Sequence, residues 1–75
     1  MNEIISKIND PKFHAVHFRY KNMQYSFSGW WLLEWDNGMK DYNSIQEFLN
    51  DQNFDNNKLA DVLPFITDVW FEFEP

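Results

Sequence analysis

The chain has 75 residues, no cysteine and a formal net charge of -6. That length makes one small domain, 1-75, burying only about 60% of the surface of its unfolded chain, and the missing cysteines exclude disulfides and thiolate-bound zinc. Residues 41–75 carry eight acids (Asp41, Glu47, Asp51, Asp55, Asp61, Asp68, Glu72, Glu74) against one base, Lys58, while residues 1–40 carry four acids against five bases; such a field draws cationic surfaces and repels phosphate, which argues against direct nucleic-acid binding.

The chain opens on a short helical pattern. Asn2 is placed to cap it, Ile4, Ile5 and Ile8 recur at helical spacing, and Pro11 closes it by disfavouring a helical conformation at Asp10. From Lys12 to Tyr20 the period becomes two, with Val16, Phe18 and Tyr20 alternating with Ala15, His17 and Arg19, as in a half-buried strand. A second strand, Met23 to Trp35, directs Met23, Tyr25, Phe27, Trp31, Leu33 and Trp35 to one face and is interrupted by Gly29. A two-residue turn at Lys21-Asn22 pairs Tyr20 with Met23, Phe18 with Tyr25 and Val16 with Phe27, so every pair on the inner face is apolar. The outer face then pairs Arg19 with Gln24, His17 with Ser26 and Ala15 with Ser28, and becomes apolar only where Phe13 meets Trp30. Asn37-Gly38, a type I′ dipeptide, turns the chain back and sets Tyr42 opposite Leu33.

Ser44-Ile45-Gln46-Glu47 is a capping-box pattern ahead of a stripe of Ile45, Phe48 and Leu49, which predicts a helix of about two turns. Leu59, Val62 and Leu63 predict another, ended or kinked by Pro64. Asp68 to Glu74 alternates Val69, Phe71 and Phe73 with Trp70, Glu72 and Glu74, a strand with one wet face. The order α-β-β-β-α-α-β gives a small two-layer α+β domain: an antiparallel sheet, made of a three-stranded meander and a C-terminal strand, with short helices on one face. Fifteen aromatics supply the density that so small a core needs, and the expected core is Val16, Phe18, Tyr25, Phe27, Trp31, Leu33, Phe48, Val69 and Phe71. No apolar stretch reaches the 18 or so residues of a membrane span, and the N-terminus lacks a continuous apolar signal region, so a soluble, cytoplasmic protein is expected.

No catalytic motif stands out, and no cofactor or metal is implied. Asp51, Asn53 and Asp55 begin like a calcium loop, but Asn56 occupies the glycine position and Val62 the place of the closing Glu, so the segment reads as an Asx-rich turn. His14 and His17, three apart, fall on opposite faces of a strand and are not expected to share a metal, although His17 is placed to pair with an acid on the open face. Serines near the histidines have no identifiable oxyanion donors, and carboxylates are plentiful by composition alone, so the chain is not read as an enzyme.

The expected function is a small non-catalytic protein-binding module that meets a basic protein surface through Phe13, Trp30, Asp61, Asp68, Trp70, Glu72 and Glu74. Two outcomes stay open for Trp30: exposure on a surface patch, or a turn inward if Gly29 marks a bulge. In its sharpest form, by analogy alone, the acids imitate the phosphates of a nucleic acid, as in inhibitors from phage and mobile elements. The alternatives are a small-ligand or carbohydrate module using exposed tryptophan, a structural homo-oligomer, and acids that only keep an aromatic domain soluble.

Overall fold

A computed structural model describes residues 3–75; the cap expected at Asn2 lies outside the described residues. The elements are α1 (Glu3–Ile8), β1 (Phe13–Tyr20), β2 (Met23–Ser28), β3 (Leu32–Trp35), β4 (Gly38–Asp41), α2 (Ile45–Asn50), α3 (Leu59–Val62), a 3-10 turn at Leu63–Phe65, and β5 (Thr67–Phe73). They make an α+β fold with a five-stranded antiparallel sheet in the order β4-β3-β2-β1-β5. No described helix is long and apolar enough to cross a membrane.

The β1–β2 register is the one that inner-face pairing predicts, from Tyr20 opposite Met23 to Ala15 opposite Ser28. Lys21 (φ 49°) and Asn22 (φ 64°) both take the left-handed conformation of a type I′ turn. Alternation therefore sends Val16, Phe18, Tyr20, Tyr25, Phe27 and Leu33 to one side, where Ile8, Phe48, Phe54, Leu59 and Val62 close the core from the helical layer. Phe48 stacks on Phe27 with centroids 3.9 Å apart. Ser44 caps α2 by accepting from the Glu47 N–H, while the Glu47 carboxylate reaches back to the Asn43 N–H rather than to Ser44 itself.

The structure corrects the sequence reading at four places. The strand expected from Met23 to Trp35 is two strands, β2 and β3, joined by a hairpin at residues 29–31. The Gly29 N–H donates to the His14 carbonyl at 2.6 Å, and a Cβ on Gly29 would lie 3.1 Å from the Phe13 carbonyl oxygen, so a larger residue would press on the β1 backbone just before the chain turns. Trp31 completes the three-residue loop at φ 62°, a conformation that costs an L-residue about 1–2 kcal/mol, and its ring stacks on Phe27 at 6.2 Å in partial compensation. The sheet thus contains a four-stranded meander.

The second correction is the next turn, which falls on Asp36-Asn37 and sets Leu33 opposite Lys40 instead of Tyr42. Gly38 pairs with Trp35, and a Cβ there would sit 3.2 Å from the indole, so glycine at this position leaves room for that ring. Third, an extra β1 residue between Phe13 and Ala15, opposite β5, rotates Phe13 off the outer face. Its ring is 8% exposed and stacks on Phe27 at 6.4 Å, so it does not meet Trp30. Fourth, Val69 is exposed, whereas Trp31 and Phe71 are partly buried against the core.

The Asx-rich segment builds a second small turn. Phe54 and Asn57 exchange backbone hydrogen bonds of 3.1 and 3.0 Å around Asp55 and Asn56, both with positive φ. This aims the Phe54 ring into Phe18, Tyr20 and Tyr25. Asp51 accepts from the Lys40 ammonium and the Tyr42 hydroxyl, while Asp55 pairs with Lys21 at 2.6 Å. The two carboxylates of the calcium-like loop are therefore engaged by separate lysines.

Candidate interaction face

The side of the sheet opposite the helices is built by the second set of alternating residues. One cross-strand rung runs Met39, Glu34, Ser26, His17, Trp70 from β4 to β5, and the next runs Asp41, Leu32, Ser28, Ala15, Glu72. Directly opposed residues in an antiparallel ladder share a face, so these side chains form one surface.

His17 is its centre. Nδ1 lies 2.7 Å from the Ser26 hydroxyl and Nε2 lies 2.6 Å from Glu72 Oε2, so the imidazole ties β1 to both neighbouring strands. Trp70 lies over it with centroids 4.1 Å apart and the planes 24° from parallel. Stacking of this kind is worth about 0.5–1.5 kcal/mol, and a half-exposed pair such as His17–Glu72 about 0–1. Together they hold the outermost strand in place and fix the orientation of Trp70, which remains 54% exposed.

Ser26, His17 and Glu72 are connected as in a hydrolytic relay, but Ser26 sits mid-ladder, paired with His17 on one side and Glu34 on the other. Its neighbouring N–H groups belong to the sheet and do not converge on a developing oxyanion. Clefts among the described residues lie around Lys40, Tyr42 and Asp51, between α1 and β5, and beside Tyr20 and Phe65.

The electrostatics separate the two sides of the molecule. Lys21 and Lys40, on the helical side or at its edge, pair with Asp55 and Asp51. The bond from Lys40, then that from Tyr42, holds the Asp51 carboxyl below its ordinary pKa; Lys21 does the same for Asp55. On the open face, Glu34, Asp41 and Glu72 accompany His17 and Arg19, and the Arg19 guanidinium is directed to Gln24 and the Asn22 carbonyl. The excess of acid is therefore a property of this face as well as of the chain's second half.

The residues nominated from the sequence divide accordingly. Trp70 and Glu72 stand together on the face, and Glu74 follows them in the same alternation, its N–H bonded to the Lys12 carbonyl at 2.8 Å. Trp30, 78% exposed, sits at the same end of the sheet, its ring edge-on to His14 at 5.6 Å. Asp68 is exposed at a bulge in β5, with φ 53°. Asp61 is not part of this surface: it lies on the helical layer and accepts from the Lys58 N–H at 3.2 Å, capping α3. Phe13 is in the core. Sequence reasoning missed Glu34, Met39 and Asp41, which a hairpin at Gly29, once recognised, would have brought onto the same face by alternation.

No family model, curated protein or solved structure matches the chain.

Proposed function

We propose that this protein is a non-catalytic binding module that docks its open sheet face against a basic surface of another protein. The observation that carries this reading is the placement of exposed Trp70, stacked on His17, beside Glu72 on a sheet face that also carries Glu34 and Asp41 and that no described helix covers. An oriented aromatic ring loses little conformational freedom on binding and suits a desolvated anchor, while surrounding carboxylates steer a cationic partner and favour it over an acidic one. Trp30 and Met39 extend the apolar part of the surface. In the narrower form, which rests on analogy, the protein is cytoplasmic and the carboxylates stand in for phosphates, blocking an enzyme that handles nucleic acid, in the manner of phage and mobile-element inhibitors.

The test is retention of lysate proteins on the immobilised chain, beside a Glu34→Gln/Asp41→Asn/Glu72→Gln variant and a Trp70→Ala variant. The reading expects a specific basic protein held by the wild type at low salt, released at high salt and lost from both variants. Equal retention by all three would overturn it.

A further inference from the structure

The geometry points to a second mode of contact at the outer edge of β5: addition of an extended partner segment whose side chains alternate between apolar and Lys or Arg. The inference rests on the reading of the protein as a partner-binding module, and it names how the partner is held.

The two edges of the sheet differ. β4 has four residues and includes Lys40, features that discourage pairing with another chain. β5 has seven residues, contains neither proline nor a basic residue, and among the described residues pairs with β1 alone, on one side. Because the Glu74 N–H points to Lys12, the residue just before β1, alternation turns the backbone groups of Trp70 and Glu72 toward β1 and those of Val69, Phe71 and Phe73 outward. The inner ladder supports this assignment, since the Gly29 N–H reaches His14 from the β2 side. Outward N–H and C=O groups at every second residue form the template that an added strand requires.

The surroundings specify the side chains of that strand. On its helical side β5 borders a cleft lined by Glu3, Ile4, Lys7, Val69 and Phe71, with Lys7 packed over the Phe71 ring at 4.9 Å. On its other side stand Trp70, Glu72 and Glu74. An added strand sends alternate residues to each side, so apolar residues enter the cleft while basic ones meet the carboxylates and the indole. A second copy of the chain would bring the acids of its own β5 to this edge, which disfavours self-pairing.

The probe is a capped heptapeptide alternating valine with lysine, titrated into the full chain while amide hydrogen exchange is followed by NMR. Exchange at Val69, Phe71 and Phe73 is expected to slow at least tenfold, whereas a peptide N-methylated at alternate valines, which keeps the charge but cannot pair, leaves it unchanged. Phe73→Pro, which removes an outward N–H, should abolish the protection, and Phe73→Ala, which removes only the ring, should retain it. Edge addition is overturned if the three amides stay unprotected while the Trp70 indole and the Glu34 and Asp41 resonances shift; the open-face reading then stands. If none of these respond, both fail. Slow exchange at the three amides without peptide, accompanied by dimer in sedimentation, overturns the inference in favour of a second copy.

Discussion

At the scale of single residues, burial and pairing decide most of what can be changed. Phe27 is fully enclosed and lies against Phe13, Trp31 and Phe48, so Phe27→Ala should cost about 3–5 kcal/mol in urea unfolding, a large fraction of the stability of so small a domain. Asp51 makes a different prediction. Its carboxyl is held below the ordinary value by Lys40 and Tyr42, so its contribution is present above the unfolded pKa, about 4, and is lost as pH falls through the lower folded value. Lys40, whose pKa the same contact raises, has the opposite sign at the alkaline end, where stability is lost as pH rises through its folded value. Unfolding midpoints at neutral pH and near pH 3 should differ less in Asp51→Asn than in the wild type, and an equal difference would show that the pair contributes nothing to acid stability.

At the scale of elements, two strand irregularities set the geometry of the face. Gly29 allows β2 to approach β1 before turning, and Gly29→Ala should cost about 1–3 kcal/mol because the atoms in its way are backbone carbonyls that cannot swing aside. Asp68 pays for the β5 bulge with a left-handed conformation; Asp68→Gly should raise the unfolding free energy by up to about 1 kcal/mol, whereas Asp68→Val should lower it by about 1–2 kcal/mol, both read from urea unfolding. These same positions explain what was legible in the sequence. The β1–β2 hairpin was fully legible, because two amphipathic strands and a two-residue turn admit one register with an apolar inner face. The Ser26–His17 contact followed from that register, and an acid partner for His17 was foreseeable in kind. Its identity as Glu72 was not, since β1 and β5 pair across two bulges that shift the register without a pattern in hydrophobicity. Phe13 was misplaced for the same reason. The β2–β3 hairpin was hidden because Trp30-Trp31-Leu32-Leu33 reads as continuous strand, and a tryptophan is among the least expected residues at a left-handed turn position.

At the scale of the whole molecule, the folding of the sheet converts an uneven distribution of charge along the chain into an uneven distribution between faces. Lysines from the first half neutralise Asp51 and Asp55 beside the helical layer, Asp61 is committed to a helix cap, and Glu34 from the first half joins Asp41 and Glu72 on the open side. On the function proposed above, this face recognises a cationic partner through Trp70 as anchor and the acids as steering charge. The most direct test measures association and dissociation rates, across a salt series, between the recovered partner and three proteins: wild type, Glu34→Gln/Asp41→Asn/Glu72→Gln, and Trp70→Ala. The predicted result is an association rate that falls with salt and falls similarly on neutralisation, with Trp70→Ala acting chiefly by faster dissociation. Unchanged association of the neutralised protein, with the same salt dependence as the wild type, would contradict the claim and leave the acids as a solubilising surface.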